Sequence, residues 1–433
     1  MPVPHDTAPS GDRPRRPLVV TPFRGVRFDP ARVSDLAAVT SPPYDVIDAD
    51  GAAHLEQLDP HNVVRLILPR DDDADGRGRY QHAAVRLRRW LEDGTLRRDG
   101  TPAIYVYEQS APGLLQRGLL AAIELRDPVE RVVLPHEDVM PGPLADRLEL
   151  MRATEANLEP ILLVYDGGGR TVEVIDGVAA TPPLVETVTE DGLTHRLWAL
   201  EDADLQEAVA ADLAPRQALI ADGHHRYATY RRLQAERRAD GAGPGPWDHG
   251  LALLVDSRAY PLTVQAIHRV VEGLPFDEAL RRAQPVFEVR RVGDSPDAAL
   301  AALRDAPGRH PFLVADGRSS FALLHDPAPH AVSHALPPMH SALWQGLDAS
   351  VLHALLLERL WGIEDGSPRT AYVHDAAGAL RRAERSGGTA VLLRPVAVDE
   401  VLAIAAGGER MPRKSTSFGP KPRTGLVLRL LTD

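Results

Sequence analysis

The sequence contains no cysteine and no long hydrophobic run. Because none of its 433 residues is Cys, disulfide bonds, thiolate zinc sites and a cysteine nucleophile are excluded. No stretch of about 18 apolar residues is present, so the sequence predicts no transmembrane helix and no membrane partner. Residues 1–17 are rich in Pro and charge and lack the apolar segment of a signal peptide, so we expect a disordered leader and a cytoplasmic protein.

Lysine is almost absent. Of the 49 Lys and Arg residues only two are Lys, at 414 and 421, so 47 are Arg. A Lys ammonium is a compact charge, whereas the Arg guanidinium is a planar fork, and a chain this biased towards Arg is expected to keep Lys where the compact form is needed. Lys414 is followed by Ser415 and Thr416, with no carboxylate adjacent in sequence. We therefore predict that Lys414, Ser415, Thr416 and Lys421 bind phosphate, the alternative being a basic surface loop.

A general nucleic-acid surface is not expected. The net charge is −12, whereas proteins that bind nucleic acids non-specifically present a basic footprint. A local basic pocket in an acidic protein suits a small anionic substrate instead. The sequence leaves a homo-oligomer open.

The order of apolar segments predicts a mixed α/β (α+β) chain with two packed lobes. The length suggests roughly two to three domains. We place an N-terminal lobe at residues 18–245 and a C-terminal lobe at 246–433, with an uncertain boundary in the Gly/Pro-rich stretch 240–247. Residues 62–68 are expected to form a buried strand, residues 166–200 a meander of short strands, and residues 327–339 a polar connector.

A second phosphate site is predicted where a short apolar strand, 217–221, meets a helix. The connecting residues are Asp222-Gly223-His224-His225-Arg226. A Gly-led turn leaves backbone N–H groups free at the helix start, where they and the helix dipole attract phosphate. Arg226 can add a charge-assisted contact, and Asp222 stands at the expected N-cap. The two adjacent His diverge on a helix, so we expect one, His224 or His225, to face the ligand and the other to be packed.

Two further residue pairs are candidates for catalysis and substrate binding. His136-Glu137 can supply a general base, and the Glu137 carboxylate can bind Mg²⁺. Asp146-Arg147 follows on a predicted helix, where Arg147 can hold a substrate carboxylate. Helix capping and surface ion pairs are the alternatives for both. His268-Arg269 is a weaker candidate, because such a pair is more often structural.

Two more stretches are candidates for the substrate side. Tyr44-Asp45 follows Pro42-Pro43 in a rigid extended turn. Asn157 is one of only two Asn in the chain, the other being Asn62. The phosphate-loop signature of P-loop enzymes, the dinucleotide fingerprint and the Gly-x-Ser-x-Gly nucleophile motif are absent.

Several of these stretches together resemble a bacterial and archaeal family known as domain-of-unknown-function family 1015 (DUF1015). They are Pro42 to Ile47, Asn62 to Leu66, His136-Glu137, Asp146-Arg147, Asn157 to Ile161, Asp222 to Tyr227, and Met411 to Gly425, so the resemblance spans about residues 18–430. Gly223-His224-His225-Arg226 also resembles the phosphate loop of the ParB/sulfiredoxin superfamily. The sulfiredoxin Cys position is His224 here, so sulfiredoxin chemistry does not carry over.

The resemblance implies a function beyond the residues themselves. One lobe is expected to have the ParB/sulfiredoxin-like fold, and some members of that superfamily are kinases for free serine. We therefore expect a small-molecule phosphotransferase that phosphorylates L-serine from ATP, ADP or pyrophosphate with Mg²⁺. Glu137, His136, Asp222 and His224 are the catalytic candidates; Gly223, His225, Arg226, Lys414, Ser415, Thr416 and Lys421 would bind phosphate; Tyr44, Asp45, Asp146, Arg147 and Asn157 would bind substrate. The alternatives are a phosphate- or nucleotide-binding regulatory module without turnover and a ParB-like metal-dependent nuclease.

Overall fold

The computed structural model describes residues 16–71, 78–364 and 366–432. The predicted leader, except for residues 16 and 17, lies outside the described residues. The chain divides into two units. The first comprises residues 1–134, 141–260 and 422–433, and the second comprises residues 135–140 and 261–421.

The first unit contains thirteen described strands and eight α-helices. Its strands are β1 Val20–Thr21, β2 Val26–Phe28, β3 Leu96–Arg98, β4 Ile104–Ala111, β5 Leu114–Glu124, β6 Val133–Pro135, β7 Ala156–Asn157, β8 Ile161–Tyr165, β9 Val185–Val188, β10 Thr194–Leu200, β11 Ala218–Asp222, β12 His249–Asp256 and, from the C-terminal segment, β21 Arg429–Leu430. Its helices are α1 Leu36–Val39, α2 Ala49–Leu58, α3 Val64–Ile67, α4 Arg79–Glu92, α5 Pro141–Thr154, α6 Arg170–Ala179, α7 Ala203–Leu213 and α8 His224–Ala239. Short 3₁₀ helices lie at Tyr44–Val46, Pro128–Glu130 and Pro246–Asp248.

A nine-stranded sheet organises this unit. Its order is β6-β11-β8-β12-β5-β4-β10-β9, with β1 pairing β5. The pair β8/β12 is parallel, whereas β11/β8, β12/β5, β5/β4 and β4/β10 are antiparallel. The central strands are apolar along almost their whole length, as expected for strands buried on both faces. β11 leads directly into α8, which places the Gly223 turn at the end of the strand between the edge strand β6 and β8.

The second unit contains strands β13 Thr263–Ala266, β14 His268–Val271, β15 Glu288–Arg291, β16 Phe312–Ala315, β17 Phe321–His325, β18 Thr370–Val373, β19 Thr389–Leu392 and β20 Thr416–Gly419. Its helices are α9 Phe276–Ala283, α10 Pro296–Arg304, α11 Pro329–Ala335, α12 Ala342–Gln345, α13 Asp348–Val351, a π-helix at Leu352–Leu360, α14 Ala376–Ser386 and α15 Val398–Gly407. Six strands form a sheet in the order β15-β17-β16-β19-β14-β18, and β13 pairs antiparallel with β20. The pairing of β13 with β20 fixes the position of the chain that follows Lys414.

The predicted mixed α/β class is confirmed, but three segments differ from expectation. Residues 62–68 were expected to form a strand and instead contain helix α3, where Asn62 Oδ1 accepts the Val64 N–H at 2.9 Å and so starts the turn. Residues 166–200 contain helix α6 before strands β9 and β10. The expected connector 327–339 contains helix α11, with Pro329 at its first position.

The division into units also differs from the expected lobes. The boundary along the chain lies between Tyr260 and Pro261 rather than after residue 245, because β12 belongs to the central sheet of the first unit. Two short segments belong to a different unit from the chain next to them in sequence. Residues 135–140 belong to the second unit, and residues 422–433 belong to the first. No helix within the described ranges combines the length and hydrophobicity needed to span a membrane.

Candidate functional site

The candidate residues fall into two groups, one in each unit. The second unit holds His136, Glu137, Lys414, Ser415, Thr416 and Lys421. The first holds Tyr44, Asp45, Asp146, Arg147, Asn157, Asp222, Gly223, His224, His225 and Arg226. That both phosphate motifs act on one ligand stays a prediction.

In the second unit, the fold brings His136-Glu137 to the Lys414 loop. The Glu137 carboxylate accepts a hydrogen bond from the Lys414 backbone N–H at 3.1 Å, across 277 positions of sequence. His136 Nε2 lies 2.9 Å from Thr416 Oγ1, and the His136 carbonyl accepts the Met411 N–H at 2.8 Å. Two motifs that were separate in the sequence therefore form one structural element.

Lys414 adopts an unusual backbone conformation. Its φ of 53° lies in the left-handed region, which is costly for a residue with a side chain. Glu137 satisfies the N–H that this conformation exposes, and the Ser415 hydroxyl donates to the Pro412 carbonyl. The Lys414 side chain is exposed, whereas Ser415 and Lys421 are half-buried and Thr416 is buried. The loop thus presents one ammonium group on a fixed backbone.

His136 and Glu137 differ in accessibility. The His136 side chain is 1% exposed, and its ring meets the edge of the Phe418 ring with centroids 5.6 Å apart. Glu137 is half-buried. The sequence suggested catalytic roles for both residues, but the burial of His136 favours a positioning role, since its ring supports the strand that follows Lys414.

Arg269 supports the same loop from inside the unit. Its side chain has no exposed surface, and Nη2 donates to the Arg413 carbonyl at 3.1 Å. The same Nη2 lies 2.8 Å from His353 Nε2, and the guanidinium stacks 4.7 Å from the centre of the Tyr372 ring. The carbonyl just before Lys414 is therefore anchored by a buried charge, which agrees with the structural role expected for the His268-Arg269 pair.

A cavity of about 550 Å³ borders the loop within the second unit. This volume lies within the usual range of small-molecule sites. Its lining comes from five separate stretches of chain: Ala266, Ile267 and Arg269; Gly346 to Ala349; Leu393 to Ala397; Glu400; and Met411 with Ser415. Arg269 and Ser415 belong to motifs named from the sequence, but the other charged residues of the lining, Asp348, Arg394 and Glu400, lie outside every motif, so the sequence did not predict this cavity.

In the first unit, Gly223 is required by the geometry of the turn. Its φ is 93°, and a Cβ there would lie 3.0 Å from Ile161 Cγ2 and 3.1 Å from Arg226 Nε. Gly223 is itself the N-cap of α8. Asp222, which we expected to cap the helix, instead pairs with Arg226 Nη2 at 2.6 Å. The Asp222 carboxylate is thus engaged by Arg226 beside the first turn of α8.

Arg226 is directed into the protein. The residue is 4% exposed, and its Nη1 donates to the Pro160 carbonyl. Burial lowers the pKa of Arg226, but the carboxylates of Glu159, Asp222 and Asp45 outweigh it and raise that pKa above the ordinary value. The guanidinium is thus committed to internal partners, which disfavours the phosphate contact that the sequence suggested.

Arg147 and Asp146 also form hydrogen bonds with other groups of the protein. Arg147 is 6% exposed and donates to the Ile67 carbonyl at 2.6 Å and to Asp146. The other oxygen of Asp146 accepts from Arg79 and Tyr80, both at 2.8 Å. The expected binding of a substrate carboxylate by Arg147 would require this network to open.

Glu159 joins these groups, although we assigned it no role from the sequence. Its Oε1 accepts the Tyr44 N–H at 2.9 Å, and its Oε2 lies 3.9 Å from Arg147 Nη1. Burial raises the pKa of Glu159, although Arg226 and Arg147 oppose the shift. The only sequence signal was its place in the Asn157-Leu158-Glu159-Pro160 stretch.

Tyr44 packs beneath both arginines of this network. The guanidinium of Arg147 lies 4.3 Å from the centre of its ring, and that of Arg226 lies 5.9 Å away. Burial raises the pKa of Tyr44 to about 12. Asp45 beside it is exposed, so the loop offers a carboxylate at the surface above a buried ionic cluster.

The remaining candidates divide by burial. Asn157 is 2% exposed, and its Oδ1 accepts from the Leu251 N–H at 3.1 Å and from Arg429 Nη1 at 3.0 Å. His224 is 7% exposed, whereas His225 is half-buried. Asn157 therefore holds strands together, and His225 is the more accessible histidine of the turn, consistent with the expectation that only one faces a ligand.

One group of three potential metal ligands lies among the described residues. Glu288, His325 and Asp326 bring their ligand atoms within 4.8 Å of one another at the paired strands β15 and β17. Glu137 is not part of it. The Glu137 carboxylate lies beside the Lys414 loop, and Mg²⁺ sites that are completed by substrate phosphates often use only one or two carboxylates.

Comparison with solved structures finds distant likenesses. SbnI with a C-terminal truncation, from Staphylococcus aureus, is 13% identical, with 72% of this chain and 87% of that one covered and a TM-score of 0.36. A free serine kinase in complex with AMP is 17% identical, with 71% and 92% covered and a TM-score of 0.35. A conserved hypothetical protein from Pyrococcus furiosus is 16% identical, with 72% and 95% covered and a TM-score of 0.35.

No curated protein matches the sequence. A family model does match it, over residues 20–350, and its description is "Protein of unknown function (DUF1015)". The match includes His136-Glu137 and the Gly223 turn, and it ends before the Lys414 loop. Since the matched range is well over half of the sequence, the chain belongs to the DUF1015 family.

Proposed function

We propose that the protein is a small-molecule phosphotransferase, and that its best candidate reaction is phosphorylation of free L-serine from ATP, ADP or pyrophosphate. The observation that carries the proposal is the 3.1 Å hydrogen bond from the Lys414 N–H to Glu137, beside the cavity of the second unit. It places a carboxylate able to accept a proton next to the lysine expected to bind phosphate. The choice of serine rests on the family resemblance.

The Lys414 loop would bind the transferred phosphoryl group. Phosphoryl transfer depends mainly on positioning and charge neutralisation, with little covalent chemistry for the protein to perform. An exposed ammonium on a backbone held by Glu137 and Arg269 meets both requirements. Lys421 would supply a further donor to the same phosphate groups. The hydroxyls of Ser415 and Thr416 contact the Pro412 carbonyl and His136, so they would bind phosphate only after release from these partners.

Glu137 would act in one of two ways. Its second oxygen can accept the proton of the acceptor hydroxyl, as a general base. Alternatively, it can hold Mg²⁺ together with the donor phosphates, since Mg²⁺ sites in such enzymes often use only one or two carboxylates. Bound Mg²⁺ would neutralise charge on the phosphate oxygens.

The Gly223 turn would provide a second anion site. α8 is 16 residues long, and the N–H groups of its first turn, with the helix dipole, favour an anion there. His225 is the side chain we assign to that ligand, and Asp45 would serve the substrate side. The buried groups Arg226, Arg147, Asp146, Asn157 and His224 would act by holding this region in place, while a catalytic role for Asp222 would require release from Arg226.

The test is a direct assay of Lys414→Ala. Purified protein is incubated with L-serine, Mg²⁺ and ATP, ADP or pyrophosphate in turn, and phosphoserine is followed by phosphorus NMR. We expect Lys414→Ala to lose at least about 100-fold in turnover, since such electrostatic contacts contribute on that order, with unchanged thermal unfolding. Lys414→Arg should recover little, and Arg304→Ala, at an exposed arginine of the same unit, should behave as the unmodified protein.

Other results of these assays would indicate a different function. Normal turnover by Lys414→Ala with a verified donor would disprove the assignment. Loss of donor without phosphoserine would indicate a hydrolase, and tight donor binding without turnover would indicate a regulatory module. Nicking of plasmid DNA with Mg²⁺ or Mn²⁺ would favour the nuclease alternative.

A further inference from the structure

The cavity of the second unit carries opposite charges side by side. Arg394 follows β19, and Asp348 is the first residue of α13. Arg394 Nη2 lies 3.6 Å from Asp348 Oδ2, just beyond hydrogen-bonding distance, and the two side chains are 34% and 23% exposed. The pair is therefore loose and reachable from the cavity.

Neighbouring groups hold the charged side chains of the cavity lining in place. The other oxygen of Asp348 lies 3.0 Å from His310 Nδ1, which fixes the carboxylate. Ala397, the N-cap of α15, also lines the cavity, and its N–H donates to the Glu400 carboxylate at 3.3 Å, so that carboxylate caps the helix. Glu400 adds a second carboxylate to the lining.

We infer that this cavity binds an α-amino acid as its zwitterion, with the ligand carboxylate on Arg394 and the ligand ammonium on Asp348. In an α-amino acid the two charges sit on either side of one carbon, so a receptor must present opposite charges close together, as this pair does. Arg can bind a carboxylate through two parallel hydrogen bonds. A simple anion would meet Asp348 and Glu400, and a simple amine would meet Arg394 and Arg269, so both are disfavoured.

The position of the cavity relates the inference to the proposed function. Ser415 and Met411 form part of its lining, so the bound amino acid would lie beside the Lys414 loop. The identification of this ligand as the phosphoryl acceptor rests on the proposed function, whereas the binding itself does not. The volume of about 550 Å³ exceeds the size of an amino acid and leaves space for a phosphate group approaching from the loop.

Binding is tested by calorimetry with no phosphate donor present. The probes are the standard L-amino acids, with L-serine first, and for each one that binds, the amine that lacks its carboxylate and the acid that lacks its ammonium. For L-serine these are ethanolamine and 3-hydroxypropionate. We expect an amino acid to bind with one site per chain and both analogues to bind at least about tenfold more weakly, the scale of one lost charged contact.

Two variants locate the site. Arg394→Ala and Asp348→Asn should each weaken binding by about 10- to 100-fold, while Asp348→Asn keeps the side-chain shape. Arg382→Ala, at an arginine that pairs with Glu272 outside the cavity lining, should bind normally. Circular dichroism confirms that the variants are folded.

The results separate this inference from the proposed function. Amino-acid binding that is lost in both variants supports the inference even when no donor gives turnover. Absence of binding by every amino acid, equal binding of an amine or acid analogue, or undiminished binding by folded Arg394→Ala and Asp348→Asn overturns it. Serine phosphorylation with an unchanged KM in Arg394→Ala would leave the kinase proposal intact and remove this cavity as its acceptor site.

Discussion

At the scale of single residues, arginine and lysine are used for different tasks. Arg147, Arg226 and Arg269 are each at most 6% exposed, and each donates to a backbone carbonyl. Lys414, by contrast, is exposed on a loop whose backbone is held by other groups. The planar guanidinium suits fixed internal partners, whereas the ammonium is a mobile point charge suited to a transient phosphate.

A buried histidine gives a pH-dependent prediction at this scale. His195 is 1% exposed, with Nδ1 at 2.8 Å from the Tyr107 hydroxyl and Nε2 at 3.0 Å from Thr189 Oγ1. Burial, with help from Arg423, lowers the pKa of His195 to about 4. Protonation therefore favours the unfolded state, so the stability that neutral His195 contributes is complete above about pH 6.5 and declines as the pH falls towards 4.

The variant His195→Gln checks this effect, because Gln keeps donor and acceptor groups but does not titrate. Between pH 7 and pH 4, the first unit of the unmodified protein should lose on the order of 3 kcal/mol more unfolding free energy than the variant does. Denaturant unfolding at both pH values measures the difference. Equal losses in the two proteins would mean that His195 titrates normally.

Residue identity predicted some roles well and others poorly. The rarity of Lys singled out Lys414, and the His136-Glu137 pair was a separate candidate, but the residue types did not show which atoms of the two would meet. Arg226 and Arg147 were expected to bind phosphate and a substrate carboxylate, and the structure engages both with internal partners. Their orientation depends on Glu159, Asp222 and the Pro160 and Ile67 carbonyls, and a sequence does not show which partner a long side chain will reach.

At the scale of elements, the junction of β11 and α8 depends on a single glycine. Gly223→Ala would place a Cβ at 3.0 Å from Ile161 and 3.1 Å from Arg226 Nε, with φ at 93°. We expect a loss of about 1–3 kcal/mol in the unfolding free energy of the first unit, from left-handed strain and the displacement of Arg226.

Gly177→Ala is the matched control for that change. Gly177 lies inside α6, and a Cβ there meets no atom within 4 Å. Because Ala is a better helix former, this variant should gain up to about 1 kcal/mol. Chemical denaturation of both variants provides the comparison, and equal stability of Gly223→Ala and the unmodified protein would contradict the requirement for glycine.

The elements show where sequence patterns succeed. Helix α4 carries buried apolar residues at helical spacing over 14 residues, and such a pattern predicts a helix. Short apolar runs are ambiguous between strand and helix. In α3 the choice is made by Asn62, whose side chain donates to the Ala38 and Thr40 carbonyls while accepting the Val64 N–H. The Ala38 and Thr40 carbonyls lie 24 and 22 positions away in sequence, so the pattern of residues 62–68 did not predict this helix.

At the scale of the whole molecule, the first unit depends on the C-terminal segment. Arg429 donates to Asn157 Oδ1 and the His249 carbonyl, both at 3.0 Å, and to the Pro246 carbonyl at 2.8 Å. Leu428 is fully buried in the core that contains Trp90 and Phe28. A chain ending at residue 421 would lose all of these contacts.

We expect such a truncation to destabilise the first unit and spare the second. Hydrogen exchange should show loss of protection around residues 156–165 and 246–256, whereas strands β16 and β17 should stay protected because their partners lie within the second unit. A truncated chain with unchanged exchange in the first unit would show that the segment is dispensable. Arg429→Ala in the full chain should give a weaker form of the same pattern.

The family model ends at residue 350, yet the second unit continues to residue 421. The part of the chain beyond the match supplies Arg394, the neighbouring cavity residues Leu393 to Ala397, and the Lys414 loop. The residues that we propose bind ligand therefore come from both sides of that limit, since Glu137 and Asp348 lie within the match.

The order of the segments also constrains how the protein is made. On the ribosome, Leu428 emerges only after the entire second unit has been translated, and yet it lies in the core beside Val26 and Leu150. Until then the place of Leu428 in the core of the first unit is unfilled. The first unit therefore completes its core only after the second unit has been synthesised.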